Sequence, residues 1–378
     1  MTSLRKIAFF SLTASPPAPP ANEMTLRALR AAFPSHEIDV FHVVPALKKS
    51  PLTLGFMLAA ASARYAPALL GGRKKLKYAL FRTPEMFSWI KRWAAAKVDP
   101  DDYAFSFQMQ SLFDASVPGL PHFVYTDHTH LENLRFETFR EADLYSPRWI
   151  DRERSVYRNA RMVFTRSSNV SESLVSQYDC PPDRVRCVYA GSNAGVPEDV
   201  STSPERYARK AILFAGIDWE RKGGPSLLAA FAKVLERHPD ASLTIVGCTP
   251  DTGSLPRCTV AGRVPLSEMP RYFAEASVFC LPTRVEPFGI VFAEAMWHGL
   301  PIVATRVGAV PDMVEDGKNG FLVPPGDAQA LAGRLNEILD APDRAAAFGA
   351  TSRRLAETRY DWTMVAARMR ETITTSLA

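Results

Sequence analysis

This sequence predicts two α/β domains, each a parallel sheet with crossover helices. Three observations carry the prediction. The chain has 378 residues, too many for one ordinary core. Apolar runs alternate with amphipathic stretches: Lys6–Leu12, Glu23–Phe33 and Ile38–Val44 place strand, helix and strand within about forty residues. Val196–Arg206, with two prolines and several Ser and Thr, reads as a linker between halves.

Lys6–Leu12 is the first strand. Its exit, Thr13–Ala21, holds Pro16, Pro17, Pro19 and Pro20 and is expected to be irregular. Asn22 is the expected N-cap of a helix Glu23–Phe33. Ile38–Val44 is the second strand. Leu52–Lys97 is rich in aromatics and cations, most densely from Gly71 to Lys97. It reads either as an interfacial helix meeting lipid head groups or as one or two surface helices with solvated lysines. Tyr103–Phe107 is a strand with Gln108 and Gln110 at its exit. His122–Thr126 is another, and Asp127, His128, Thr129 and His130 stand at its carboxyl end, where open parallel sheets bind ligands. His128 and His130 share a face in an extended chain, as metal ligands would, but no third ligand is evident. A histidine satisfied by a backbone carbonyl fits the same residues. Ser146–Arg161 is an amphipathic helix, Met162–Thr165 a strand and Val170–Tyr178 a helix capped by Ser167–Asn169. Arg184–Tyr189 is the last strand of the first half.

Ala211–Ala215 opens the second half. Its exit, Gly216–Gly224, carries Arg221 and Lys222 beside a glycine pair and leads to the helix Pro225–Arg237. Ala241–Gly247 and Thr259–Val264 are strands, Ser267–Ala276 is a helix, and Ala276–Pro282 is a buried strand end. Pro287 and Gly289 then turn the chain into a helix from Ile290. Glu286 therefore sits at a strand's carboxyl end and Glu294 about one turn into the next helix. Between them lies a helix N-terminus, a site for an anion. Pro301–Thr305 is a strand, Gly308–Glu315 a loop and helix, Asn319–Val323 a short strand and Ala328–Leu339 a helix. Tyr360–Trp362 starts the final helix.

Bulk properties narrow the function. The formal charge is +5, and residues 1–200 hold all of it, with 25 Lys/Arg against 20 Asp/Glu. That is too mild for a nucleic-acid footprint but compatible with an acidic acceptor or an anionic membrane surface. Five cysteines without CxxC spacing argue against a disulfide framework or a zinc site and fit a reducing cytosol. No run reaches membrane-spanning length, and Ile7–Leu12 looks like a strand, not a signal peptide.

Two carboxylates flanking an anion site suit a ligand with hydroxyls at both ends and phosphates between, the layout of a nucleotide sugar. Taken alone, Glu286 and Glu294 also fit a plain strand–loop–helix unit with one acidic turn residue and one solvated helix Glu. The longer string EPFGIVFAEAMWHGLPIVATRVGAVPDMVEDGKNGFLVPPGD closely resembles the donor-site segment of retaining GT-B glycosyltransferases. Glycogen synthase, sucrose synthase and the phosphatidylinositol mannosyltransferases are of that type. The resemblance covers residues 205–345 strongly, 120–195 moderately and 1–118 weakly.

The resemblance implies an α/β fold of the GT-B kind, two Rossmann-like domains facing across a cleft. Residues 1–198 would form the acceptor side and 205–358 the donor side, with a helix near 360–378 crossing back onto the first. It implies retaining transfer of a hexosyl unit from a nucleotide diphosphate sugar to an acceptor hydroxyl, with no metal and no cofactor. The donor would meet Gly216, Arg221, Lys222, Arg263, Val264, Glu286, Pro287, Phe288, Gly289, Ile290, Val291 and Glu294. Within that set, Glu286 would hold sugar hydroxyls, Arg221 and Lys222 the departing diphosphate, and Glu294 the ribose. His128 would lie near the transferred sugar, with Asp127 and Ser15 also on the acceptor side.

Two departures stand out. Ser15-Pro16-Pro17 replaces an expected Gly-Gly pair, and Ile217 occupies a usual arginine position, leaving Arg221 to supply the charge. Uridine- and guanosine-linked donors both remain open, as do sugar, lipid-linked and small-molecule acceptors. No nucleic-acid partner is expected. A cytoplasmic protein, with or without peripheral contact at the inner membrane face, is. A nucleotide-sugar epimerase, a phosphorylase on the same architecture, and an inactive nucleotide-sugar-binding protein are the rival readings.

Overall fold

The structure is a computed structural model that describes residues 5–13, 20–193 and 196–378. The chain divides into two compact units. The first spans Met1–Arg135, Phe139–Tyr189 and Val365–Ala378; the second spans Phe136–Thr138 and Ala190–Met364.

Unit one is built on six strands: β1 Lys6–Ser11, β2 Ile38–His42, β3 Tyr103–Met109, β4 His122–Thr126, β5 Met162–Thr165 and β6 Val185–Cys187. Their order is β2-β1-β3-β4-β5-β6, and every neighbouring pair is parallel. This is the flavodoxin-like order, whose direction reverses between β1 and β3. Helices cover a parallel sheet on both faces, so its inner strands are apolar throughout instead of alternating. β3 and β4 show it: the only residue of either that is not buried is Ala104. Phe9, Phe107 and Phe164 stack across three strands, with ring centroids 6.0 and 6.2 Å apart.

The first helix runs Pro20–Ala32, so Pro20 and Ala21 are helical and Asn22 lies inside the helix, not at its cap. The physical reason is that proline suits the first helical turn, where its missing N–H would be unsatisfied anyway. Ser15, Pro16, Pro17 and Pro19 lie outside the described residues. The stretch 51–95 forms three helices, Pro51–Leu70, Leu76–Ala79 and Pro84–Ala95.

Unit two has six strands: β7 Ala211–Ala215, β8 Ser242–Val246, β9 Cys258–Gly262, β10 Val278–Leu281, β11 Ile302–Thr305 and β12 Gly320–Val323. The order β12-β11-β10-β7-β8-β9, again wholly parallel, is the dinucleotide-fold order 3-2-1-4-5-6 read backwards. The chain winds outward from β7 in one direction, then restarts at β10 on its other side.

Two features of unit two depart from the sequence reading. Arg206, expected in a linker, belongs to the helix Pro204–Ala208 and is buried. Its guanidinium donates to the carbonyls of Ser201, Phe273, Ala276 and His298 at 2.7–3.1 Å. A helix Pro342–Arg359 also stands where no element was expected. Its buried face is Ala345, Phe348, Gly349, Ser352 and Ala356. Apart from Phe348 these are small residues, and they give no hydrophobic stripe to read. They let the helix approach closely: a Cβ on Gly349 would fall 2.2 Å from the Gly299 carbonyl oxygen. Among the described residues no helix is long and apolar enough to cross a membrane.

Candidate functional site

Strand order decides what meets what in unit two. β7 and β10 are neighbours, and the sheet reverses direction between them, so their exit loops share the carboxyl edge at the switch point. The β7 exit is 216–223 and the β10 exit is 282–289.

These loops are knitted together by backbone and side chains. Arg284 N–H donates to the Arg221 carbonyl at 2.8 Å. Thr283 Oγ1 donates to the carbonyls of Arg221 and Val285 at 3.3 and 3.0 Å. The Arg221 guanidinium donates to the Val285 carbonyl at 2.9 Å and lies 3.4 Å from Asp218 Oδ2. At the centre, the Lys222 ammonium forms an ion pair with Glu286 Oε2, both side chains nearly shut off from solvent.

Glycines make this approach feasible. Gly223 has φ +74°, and a Cβ there would sit 1.8 Å from the Pro282 carbonyl oxygen. Gly308 has φ +51°, and its Cβ would fall 2.0 Å from the Glu286 carbonyl oxygen. Each loop then enters a helix, Gly224–Arg237 or Ile290–Trp297, through a left-handed glycine, Gly223 or Gly289, and no side chain caps either start. Two helix N-termini therefore face the carboxyl edge of the sheet, where backbone amides favour an anion.

The donor-side residues named from sequence fall into two groups. Gly216, Arg221, Lys222, Glu286, Pro287, Phe288, Gly289, Ile290, Val291 and Glu294 lie in these two loops and the first turns of the second helix. Gly216 leaves room for the Lys222 stem, since a Cβ there would meet Lys222 Cγ at 3.0 Å. Glu294 is buried in the second turn of its helix. Arg263 and Val264 instead follow β9, the edge strand two places from β7, where Arg263 is exposed. No described hydrogen bond joins them to the Lys222–Glu286 pair. Thr283 and Gly308 were not singled out beforehand. A threonine at a strand exit and a glycine after a strand carry no signal of their own.

In unit one, His128 follows β4. Its Nδ1 lies 3.0 Å from Glu132 Oε2, a carboxylate with no solvent exposure, which also accepts from Asn169. Burial opposes the imidazolium, but Glu132 outweighs it with help from Asp127, and the His128 pKa is held above 6.5. Asp127 in turn lies 3.5 Å from the Arg166 guanidinium. His130 is different: its Nε2 accepts from the Tyr145 N–H at 2.9 Å, and burial pushes its pKa down to about 3. A neutral, bonded His130 suits a structural role. No cluster of three or more His, Cys, Asp or Glu that would hold a metal occurs among the described residues.

The segment is pinned from beneath by Glu153, a residue without any signal in one dimension. This buried carboxylate accepts from Ser111 Oγ and Tyr157 OH at 3.1 Å, from the His130 N–H at 3.2 Å, and from Tyr178 OH. Burial raises its pKa.

Residues 209–341, which contain both loops and the ion pair, match the family model described as Glycosyl transferases group 1. The match is to this segment of the chain and not to the residues before it. A curated relative is the GDP-mannose-dependent alpha-(1-6)-phosphatidylinositol monomannoside mannosyltransferase of Mycolicibacterium smegmatis. It is 35% identical over 168 residues, covering 40% of this chain and 44% of that enzyme. The chain spans about half the length of the curated relatives it matches. Among solved structures, sucrose-phosphate synthase from Thermosynechococcus elongatus superposes with a TM-score of 0.71 at 21% identity, over 98% of this chain and 99% of that one. Anabaena Alr3699/HepE, solved with UDP-glucose, gives 0.61 at 17% identity over 98% and 100%. The fold is GT-B, as the motif resemblance implied.

Proposed function

We propose that this protein is a glycosyltransferase of the group 1 kind that moves a hexosyl unit from a nucleotide diphosphate sugar to an acceptor hydroxyl. One observation carries the reading. Lys222 and Glu286 meet at the switch point of unit two, between two helix N-termini, inside the segment that matches the family.

The chemistry follows from that arrangement. A diphosphate settling on the amides from Ile290 onward competes with Glu286 for the Lys222 ammonium. Phosphate carries more charge than a carboxylate and takes the cation. Glu286 is then released to accept hydrogen bonds from sugar hydroxyls, which charged acceptors bind strongly. Arg221 and Lys222 stabilise the charge growing on the leaving diphosphate. Glu294 holds the ribose, and His128 with Asp127 serves the acceptor side.

Lysine, arginine and helix dipoles supply the positive charge, so transfer is read as metal-independent. It is read as retaining because the relatives' motif accompanies that outcome. Donors linked to uridine or guanosine suit the site, since Alr3699/HepE was solved with UDP-glucose and the mycobacterial relative is named for GDP-mannose.

The test begins with a thermal-shift screen of nucleoside diphosphates and their sugars, because a ligand of the native state raises Tm. Turnover with the stabilising donor is followed with and without excess EDTA, and the product anomer is read by NMR. Donor conversion without acceptor indicates an epimerase, and a requirement for inorganic phosphate a phosphorylase. Donor binding without turnover, across a panel of sugar, lipid and polyol acceptors, points to a binding protein.

A further inference from the structure

The helix Pro51–Leu70 has one face in the core and one that no described residue covers. Met57, Ala61 and Tyr65 are buried, with Leu54 and Leu58 packed beside them. The opposite stripe is Leu52, Phe56, Ala59 and Ala63, spaced three or four residues apart and exposed, up to a kink at Tyr65; beyond the kink Pro67 and Leu70 are exposed as well. Leu52 is 92%, Phe56 61% and Leu70 90% exposed. Single exposed leucines are ordinary, but an exposed helix face of about three turns without one charge, followed past the kink by exposed Pro67 and Leu70, is not. The helix's one charged side chain, Arg64, is off this stripe and paired with Glu85 at 2.5 Å.

Charge is arranged at the two ends of the stripe. Lys48 and Lys49 precede it, and Arg73, Lys75 and Lys77 follow it, all exposed and none with a carboxylate partner among the described residues. The whole segment 40–84 contains eight Lys/Arg and no Asp or Glu. This unbalanced run accounts for the positive excess of the first half.

We infer that this helix lies flat on an anionic lipid bilayer. Leu52 and Phe56 enter the acyl boundary, while the flanking cations sit among lipid phosphates. The geometry is that of a helix that lies on a membrane without spanning it: apolar on one side, cationic at its ends, docked on a globular body by its other side. An acidic protein partner would match the cations but would leave the uncharged stripe unaccounted for. A bilayer matches both.

The test is flotation of the full-length chain with phosphatidylcholine vesicles and with vesicles that also contain phosphatidylglycerol. No donor or acceptor is needed, so the outcome is independent of the proposed enzymatic activity. Retention is expected on the anionic vesicles only, and it should fall as salt rises. Because every altered residue is exposed, the variants should fold, which circular dichroism checks. Arg73→Gln with Lys75→Gln and Lys77→Gln should weaken partitioning on the order of 100-fold, from about 1 kcal/mol per cation near such a surface. Leu52→Ser with Phe56→Ser should abolish retention while leaving donor-induced thermal shifts unchanged. Equal retention on neutral vesicles, or retention that survives the Leu52/Phe56 pair, overturns the inference. So does a concentration-dependent dimer that the same pair dissolves in a protein that ignores vesicles.

Discussion

Lys222 and Glu286, 64 residues apart in the chain, form a buried ion pair that ties the exit of β7 to the exit of β10. Removing one partner strands the other as an uncompensated charge, whereas removing both does not. Lys222→Met or Glu286→Leu alone should therefore destabilise unit two by about 3 kcal/mol, and the double variant by less than either. Urea denaturation of the three variants checks this. Additive losses would mean the two groups do not depend on each other.

The same pair predicts a catalytic split. If a diphosphate displaces Glu286 from Lys222, then Lys222→Ala should cost about 2–4 kcal/mol of transition-state stabilisation, as for loss of a preorganised donor to developing charge. kcat/KM with the stabilising donor reads it directly. Near-normal turnover would remove Lys222 from the mechanism.

Gly308 offers a backbone test of Glu286 placement. Its φ of +51° and the 2.0 Å approach to the Glu286 carbonyl leave no room for a methyl group. Gly308→Ala should lower stability by about 1–3 kcal/mol and weaken donor binding together, because relief of the clash moves the loop that carries Glu286. Calorimetric titration with the donor, beside a melting curve, shows whether both fall.

Legibility in the sequence followed physics more than position. Unit two reads well because its strands are continuous apolar runs ended by Gly and Pro. Ala211–Ala215 and Ala328–Leu339 fall where the pattern puts them. Its site loops read well because Pro287, Gly289 and the Gly223–Gly224 pair punctuate them. What failed to show was what depends on three-dimensional approach. Arg206 looks like a solvated linker residue until four carbonyls converge on it. The helix Pro342–Arg359 hides because its contact face, Phe348 apart, is built from small side chains. Glu153 looks like any exposed helix carboxylate, since nothing in one dimension places Ser111, Tyr157 and Tyr178 around it.

Glu294 carries a prediction about the donor's other end. It lies one helical turn beyond the glycine that starts its helix and is buried within unit two. A carboxylate there suits ribose hydroxyls, and each lost charged hydrogen bond is worth about 1.5–3 kcal/mol. Glu294→Ala should weaken binding of the nucleoside diphosphate and of the intact sugar donor by the same factor. Equilibrium titration of both ligands tests it. A loss confined to the sugar donor would move Glu294 to the hexose end.

His128 and Glu132 give unit one a pH-dependent contribution whose sign can be fixed. Burial lowers the His128 pKa, but the Glu132 carboxylate at 3.0 Å and nearby Asp127 more than offset it, so the folded value lies above 6.5. A group whose pKa rises on folding binds its proton more tightly in the native state. Its stabilisation is complete below the unfolded value and is lost as pH climbs through the folded one. Buried Glu153, whose pKa is also raised, acts in the same direction but titrates from the lower carboxylate range. The two are separated by Glu132→Gln, which removes the partner of His128 and leaves the contacts of Glu153 in place. The wild-type melting temperature should fall between pH 6.5 and the alkaline side, and Glu132→Gln should flatten that part of the profile. His128→Asn should flatten it in the same way, and combining the two changes should add nothing further. A slope that persists in both single variants would assign the titration to another group.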